Sequence, residues 1–301
     1  MGFIILLTQS VLPIFIILGI ANFYYRKFKP DIAQLVNVSL YVFVPSVVFH
    51  SMVREKIGIL ELGKYLLLMV LVTAALMLVG HIGGKMLRLS KSNVTLFMLS
   101  VSMINIGNFG VPLIFFTYGD AGTNPSILTF VAFNLPLVTI AIYLSSNEST
   151  MKGALKDVMR IPIFHASVVA IIINSLAIPV PDTILKLTGF LGQAAFPFVI
   201  FILGLQLATI KLNPGIMKVA MTSVIIRLGV SPFIAAAFLH LLSFEGLPYS
   251  VTMVQIAGPS ALMPLMYAIK FGKNADLLAA AILLSTALSA LTLPLVIYLV
   301  G

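Results

Sequence analysis

Cysteine is absent from all 301 residues, so neither disulfides nor thiolate metal sites can equip this chain, and its redox compartment leaves no trace. The four histidines, His50, His81, His165 and His240, are scattered without metal-ligand spacing, which argues against a zinc centre. Charge is also scarce. With 9% charged and 60% hydrophobic residues and a mean hydropathy of +1.13, there is too little polar surface to clothe a soluble fold. The acids Asp31, Glu55, Glu61, Asp120, Glu148, Asp157, Asp182, Glu245 and Asp276 all fall at the ends of apolar runs or between them. The chain therefore lacks the midplane carboxylate that exchanges a proton for a cation in crossed-helix antiporters. No nucleophile is paired with a base and no cofactor motif follows a strand pattern, so the chain does not read as an enzyme and no cofactor is expected.

What is present is apolar sequence in lengths that fit a bilayer. Runs near 3–25, 31–52, 62–86, 94–118, 124–146, 162–178, 183–208, 215–241, 249–271 and 276–300 each approach the roughly 20 residues of a spanning helix, which predicts an all-α integral membrane protein of ten spans. The first run is too long for a cleaved signal, and Arg26 and Lys27 follow it rather than precede it, so it reads as a retained span. A net charge of +9 does not build a nucleic-acid surface, because the basic residues are spread among short connections. They mark topology instead. Arg26, Lys27 and Lys29, then Lys85, Arg88 and Lys91, Lys152, Lys156 and Arg160, Lys211 and Lys218, and Lys270 and Lys273 follow spans 1, 3, 5, 7 and 9 in turn. By the positive-inside rule these connections face the cytoplasm and both termini lie outside.

The two halves, 1–150 and 151–301, echo one another at an offset of about 150 residues. Pro30-Asp31-Ile32 opens span 2 and Pro181-Asp182-Thr183-Ile184 opens span 7, with Pro45 and Pro197 further in. Leu-Pro-Leu-Val recurs in spans 5 and 10. Five spans per half is an odd number, so the second half enters from the opposite side and the pattern predicts a 5+5 inverted repeat, an architecture of transporters.

Spans 4 and 9 carry helix breakers among amides, in Asn105-Ile-Gly-Asn-Phe-Gly-Val-Pro112 and in Gln255-Ile-Ala-Gly-Pro-Ser-Ala-Leu-Met-Pro264. Breaks are expected at Pro112 and Pro264, with the second half of span 4 beginning near 109–112, because glycine reaches positive φ and proline removes a donor. Two half-helix N-termini meeting at membrane depth favour an anion. The candidate substrate-binding set is Asn105, Asn108, Gly110, Pro112, Gln255, Gly258, Pro259, Ser260 and Pro264. Its amides can hold a carboxylate, or they can satisfy carbonyls that the prolines free, and the two roles can coexist. Arg227 is the permanent charge nearest a span centre, and it serves either as counter-ion to a solute or as a tie between span 8 and the broken backbone. Asp182 and Lys186 have the spacing of an ion pair, or Lys186 is a snorkelling side chain, Glu61 and Lys64 look similar, and Glu61, Lys64 and His50 are candidates for a gate or a coupling role.

Several of these residues resemble the auxin efflux carrier family, which spans plant PIN-type carriers and bacterial permeases for dicarboxylates such as malonate and malate. Arg227-Leu with Pro232, Val254-Gln255 with Pro259 and Pro264, then Asp276 and the closing Leu293-Pro-Leu-Val-Ile-Tyr298 follow in the family's order. Asn105 ahead of Gly110-Val-Pro112 looks like the family's span 4 crossover, and Val44-Pro45 with Phe49-His50 also matches. The connection between spans 5 and 6 lacks the long hydrophilic insert of many plant members. The resemblance implies crossed, broken helices 4 and 9, a scaffold of spans 1, 2, 6 and 7, and a moving transport domain of spans 3–5 and 8–10. It further implies a homodimer through the scaffold in the cytoplasmic membrane. The substrate would be a small organic anion, approached from the scaffold by Pro45, Phe49, Pro197 and Phe198, and carried alone or with H⁺ or Na⁺. A sodium-coupled symporter of the bile-acid type, a channel and a non-transporting membrane sensor are the competing readings.

Overall fold

The computed structural model describes residues 2–145, 153, 159–272 and 275–301, and these are helical almost throughout. Glu148, Lys152, Lys156, Asp157 and Lys273, on which part of the charge reading rests, lie outside the described residues. The helices are α1 (Phe3–Phe28), α2 (Ile32–Arg54), α3 (Ile59–Met86), α4 (Lys91–Ser102), α5 (Val111–Ser145), α6 (Pro162–Ser175), α7 (Asp182–Ala208), α8 (Met217–Leu241), α9 (Gly246–Ile256), α10 (Met263–Lys270) and α11 (Asp276–Val300). Single π turns interrupt α1 at Leu7–Val11 and α2 at Ser39–Phe43, and a third, Ile106–Gly110, leads into α5.

Among the described residues seven helical stretches are long and apolar enough to cross a membrane, which makes this a multi-pass membrane protein. Ten such stretches were expected, and the difference lies in spans 4, 6 and 9. Span 4 divides between α4 and α5, span 9 divides between α9 and α10, and α6 has only 14 residues. Val111–Ser145 is two helices, the second half of span 4 and span 5, meeting at a kink at Gly119, where φ +61° and ψ −149° define a conformation that is essentially glycine's alone. Large apolar side chains such as Ile4, Leu60, Phe190, Phe233 and Leu299 stand exposed on the perimeter, as a lipid-facing surface requires.

Lipid offers no hydrophobic drive between helices, so close backbone approach at small residues does that work. On α7, a Cβ added to Gly204 would lie 2.6 Å from Ala21 Cβ and 2.9 Å from the Leu18 carbonyl of α1. One added to Gly192 would lie 2.9 Å from Val47 Cα of α2. Gly80 and Gly84 let α3 close on α4 in the same way, at Met98 and Val94. Helix α7 thus packs on α1 and α2, and α6 on α2, where Asn174 Nδ2 donates to the carbonyls of Met52 (2.8 Å) and Ile57 (3.0 Å). A second set of contacts joins α3, α4, α5, α8, α9 and α11. The two sets meet where α1 packs on α11 and α5, where α7 packs on the π turn Ile106–Gly110 and where α2 packs on α5.

The expected Asp182–Lys186 ion pair does not form. Among the described residues the ion pair is Arg54 Nε with Glu55 Oε1 at 4.0 Å, both well exposed and so of little energetic weight. Packing carries the fold instead. Gly204→Val should therefore lower stability by about 1–3 kcal/mol through overpacking, read as an earlier thermal unfolding of the purified protein, whereas the same change at Gly19, which has open space around it, should leave unfolding little altered.

Candidate functional site

Helix α4 ends at Ser102, and Met103 is already extended (φ −89°, ψ 122°). Residues 103–105 form the break, so the interruption precedes Pro112 rather than coinciding with it. Gly107 and Gly110 lie inside the π turn, and Pro112 sits in the first turn of α5. The wider turn explains the shift: the N–H of Gly110 reaches the Asn105 carbonyl and that of Val111 reaches Ile106, a five-residue step that accommodates a downstream proline without ending the helix. Gly107 leaves room there for the Phe130 ring, which an added Cβ, 2.5 Å from Cε2, would have to displace. In span 9 the non-helical residues are 257–262, with Pro259 inside the break and Pro264 in the first turn of α10.

The two breaks cross and bond to each other. Asn105 N donates to the Pro259 carbonyl and Ala261 N donates to the Met103 carbonyl, both at 2.9 Å, closing an antiparallel bridge between Ile104 and Ser260. Groups that lipid could never satisfy therefore satisfy one another.

Arg227 of α8 is fully buried beside this bridge. Its Nε and Nη2 donate to the Gly258 carbonyl at 3.1 and 2.9 Å, Nη2 also reaches the Ile256 carbonyl, and Nη1 donates to Val101 at 3.3 Å. One guanidinium so holds the ends of both α4 and α9, and a fork of fixed donors suits that task better than an ammonium. Ser260, expected among the solute-binding groups, is engaged in the same frame. Its hydroxyl donates to the Ser100 carbonyl at 2.7 Å, and its N–H donates to Ser285 Oγ at 3.1 Å.

Two amides beside the bridge are left with unmet capacity. Asn105 is 5% exposed and its Nδ2 has no partner. Gln255 is fully buried, and its Nε2 donates to Ser126 Oγ at 2.7 Å and to the Ser126 carbonyl at 3.4 Å, while its Oε1 has none. Gly110 lies against both residues, with its added Cβ 3.3 Å from Gln255 Cγ and 3.5 Å from the Asn105 carbonyl. Asn108 is half-buried on the π turn. Ser126, three residues before Thr129 and on the same helical face, escaped sequence reading, and Thr129 Oγ1 in turn meets Thr252 Oγ1 of α9 at 3.1 Å. A lone serine in an apolar run gives no local signal.

The remaining expected residues sit on α2, α3 and α7. Pro45 and Phe49 are half-buried on α2, Pro197 is exposed within α7, and Phe198 packs edge-on against Phe43 with centroids 5.2 Å apart. His50 lies over Gly189 with Nδ1 3.4 Å from Thr188 Oγ1. It borders a polar cavity of about 130 Å³ with Arg54, Glu55, Asp120, Asn124 and Gln193. Glu61 is exposed in the first turn of α3. Lys64 donates to the Ser243 carbonyl at 2.9 Å and sits 4.4 Å above the Phe244 ring, which fastens the start of α3 to the end of α8.

Broken helices crossing inside a multi-span helical body are a transporter's arrangement. Residues 146–297 match the family of membrane transport proteins, and the chain belongs to this family, that of the auxin efflux carriers. It is 29% identical to an uncharacterized transporter of Methanothermobacter thermautotrophicus over 279 residues, 89% of this chain and 88% of the relative. It is 25% identical to an uncharacterized transporter of Methanocaldococcus jannaschii over 303 aligned positions, 96% of this chain and 98% of the relative. Membership in this family speaks for transport rather than catalysis.

Replacing Arg227 by Met should leave the carbonyls of Val101 and Gly258 unpaired and that of Ile256 with only the Ser231 hydroxyl at 3.4 Å, at about 1–3 kcal/mol for each carbonyl left without a partner. Thermal unfolding of the purified variant should fall well below the parent's, with Arg227→Lys intermediate. An Arg227→Met protein as stable as the parent would exclude the anchoring role.

Proposed function

We propose that the protein is a carrier for a small organic carboxylate in the cytoplasmic membrane, working as a uniporter or coupled to H⁺ or Na⁺. The observation that carries this reading is the pair of crossed breaks with unpaired, buried amide groups of Asn105 and Gln255 beside them. Unsatisfied polar groups are rare in folded proteins and call for an explanation, and a solute that binds there supplies one. The helix starts at Ile106 and Met263 add positive potential without adding a charged side chain, which suits a solute that must also be released.

On this reading the chain is a ten-span 5+5 inverted repeat in which the shorter helices and half-helices complete the spans. Helices α1, α2, α6 and α7 form a scaffold and, in a homodimer, the contact between protomers. The set built on α3, α4, α5 and α8–α11 moves against it as an elevator. Support comes from the division of helix contacts into those two sets. Support for unitary motion comes from the main-chain bonds and the Arg227 anchor, which bind the two broken helices into one body. Pro45, Phe49, Pro197 and Phe198 then flank the path on the scaffold side, with His50, Glu61 and Lys64 as peripheral groups.

Purified protein in proteoliposomes loaded with candidate acids tests the assignment. Asn105→Ala, compared at equal insertion, should slow carboxylate transport by at least about tenfold, since a lost hydrogen bond to a charged group is worth roughly 1.5–3 kcal/mol, and Gln255→Ala, which removes a neutral acceptor, should slow it by about threefold to tenfold. Parental rates in both variants would remove the crossing as the solute site.

A further inference from the structure

The two unpaired amides differ in kind, and the difference bears on what the solute must carry. Gln255 is not free to present either end of its amide. Its Nε2 is committed to the hydroxyl and the carbonyl of Ser126, at 2.7 and 3.4 Å. Turning the amide over would set Oε1 against the Ser126 carbonyl, two acceptors face to face. Gln255 therefore offers only an acceptor, and that acceptor is fully buried and unmet. Asn105 offers an unmet donor, and Gly110 lies against both residues. The cation nearest the bridge cannot alter this polarity, because the Arg227 guanidinium is directed at the Val101, Ile256 and Gly258 carbonyls. A fully ionised carboxylate has acceptors alone, so one facing Gln255 Oε1 leaves that oxygen unpaired and meets repulsion.

We infer that the crossing selects solutes presenting an acceptor to Asn105 and a hydrogen-bond donor to Gln255, so that the preferred cargo is a carboxyl group with an O–H at or beside it. Two sources supply that O–H, the acid's own proton or a hydroxyl on the adjacent carbon. Ser126 acts as a positioning residue that holds Gln255 in its accepting orientation. The inference rests on the carboxylate-carrier reading and adds the requirement for a donor.

Binding to the purified protein, read as thermal stabilisation in detergent, tests it with two matched pairs of acids that differ by a 2-hydroxyl, lactate against propionate and malate against succinate, at pH 8 and pH 5. A hydroxyl source predicts that the hydroxy acid binds at least about tenfold tighter than its partner at both pH values. A carboxyl-proton source predicts that the deoxy acids bind at least about tenfold tighter at pH 5 than at pH 8. Either preference should shrink below about threefold in Gln255→Met, which keeps length but offers no acceptor, and in Gln255→Leu, which offers none on a shorter chain. Gln255→Leu keeps the test open if the methionine variant does not fold. Deoxy acids bound at pH 8 as well as at pH 5 and as well as their hydroxy partners would overturn the donor requirement while leaving carboxylate binding intact. Absence of binding by all four acids at both pH values would overturn the carboxylate reading and this inference with it.

Discussion

A backbone that leaves helical geometry at membrane depth carries donors and acceptors that hydrocarbon cannot satisfy, at several kcal/mol for each unmet group. Here that constraint is met by placing two irregular stretches side by side, so that each supplies the other's partners through Asn105, Pro259, Met103 and Ala261. Carbonyls the exchange leaves over, at Val101, Ile256 and Gly258, fall to Arg227. The arginine's own burial is tolerable for the same reason, since it is surrounded by dipoles rather than by lipid. Neither break would survive without the other.

Around this joint the rest of the architecture follows from packing. Glycines on α3 and α7 let helix backbones approach closely, and the exposed perimeter stays apolar. Many serine and threonine hydroxyls are turned onto carbonyls of their own helices, as at Ser102, Ser167 and Ser223. Asn105 Nδ2 and Gln255 Oε1 keep open valences beside the bridge, while Gln206 Oε1, Asn124 Oδ1 and the Thr73 hydroxyl are also without a partner.

The class of the fold and the neighbourhood of the two breaks were legible in the chain. Apolar runs long enough to span, and proline and glycine set among amides inside two of them, are local signals with a direct physical meaning. The position of the first break was not legible, because a proline's steric demand can be absorbed by widening the preceding turn, and nothing in the letters distinguishes a π turn from a rupture. Ser126 was missed because its contact with Gln255 spans 129 residues. Of the two roles open to Arg227, only coordinates could assign its hydrogen bonds, since its partners are main-chain oxygens that carry no side-chain signature. Span 6 read as a crossing of ordinary length because hydropathy registers composition and is blind to where a helix ends.

That Arg227 grips main-chain oxygens has a consequence for divergence. The anchor depends on the path of the backbone at residues 101, 256 and 258 and not on the side chains there, so it does not read the chemistry of the neighbouring amides. Substitutions at 105, 126 or 255 can retune what is carried while the joint is inherited unchanged. A lineage built on this framework is thereby free to explore new cargoes without re-solving how two broken helices are held together in oil.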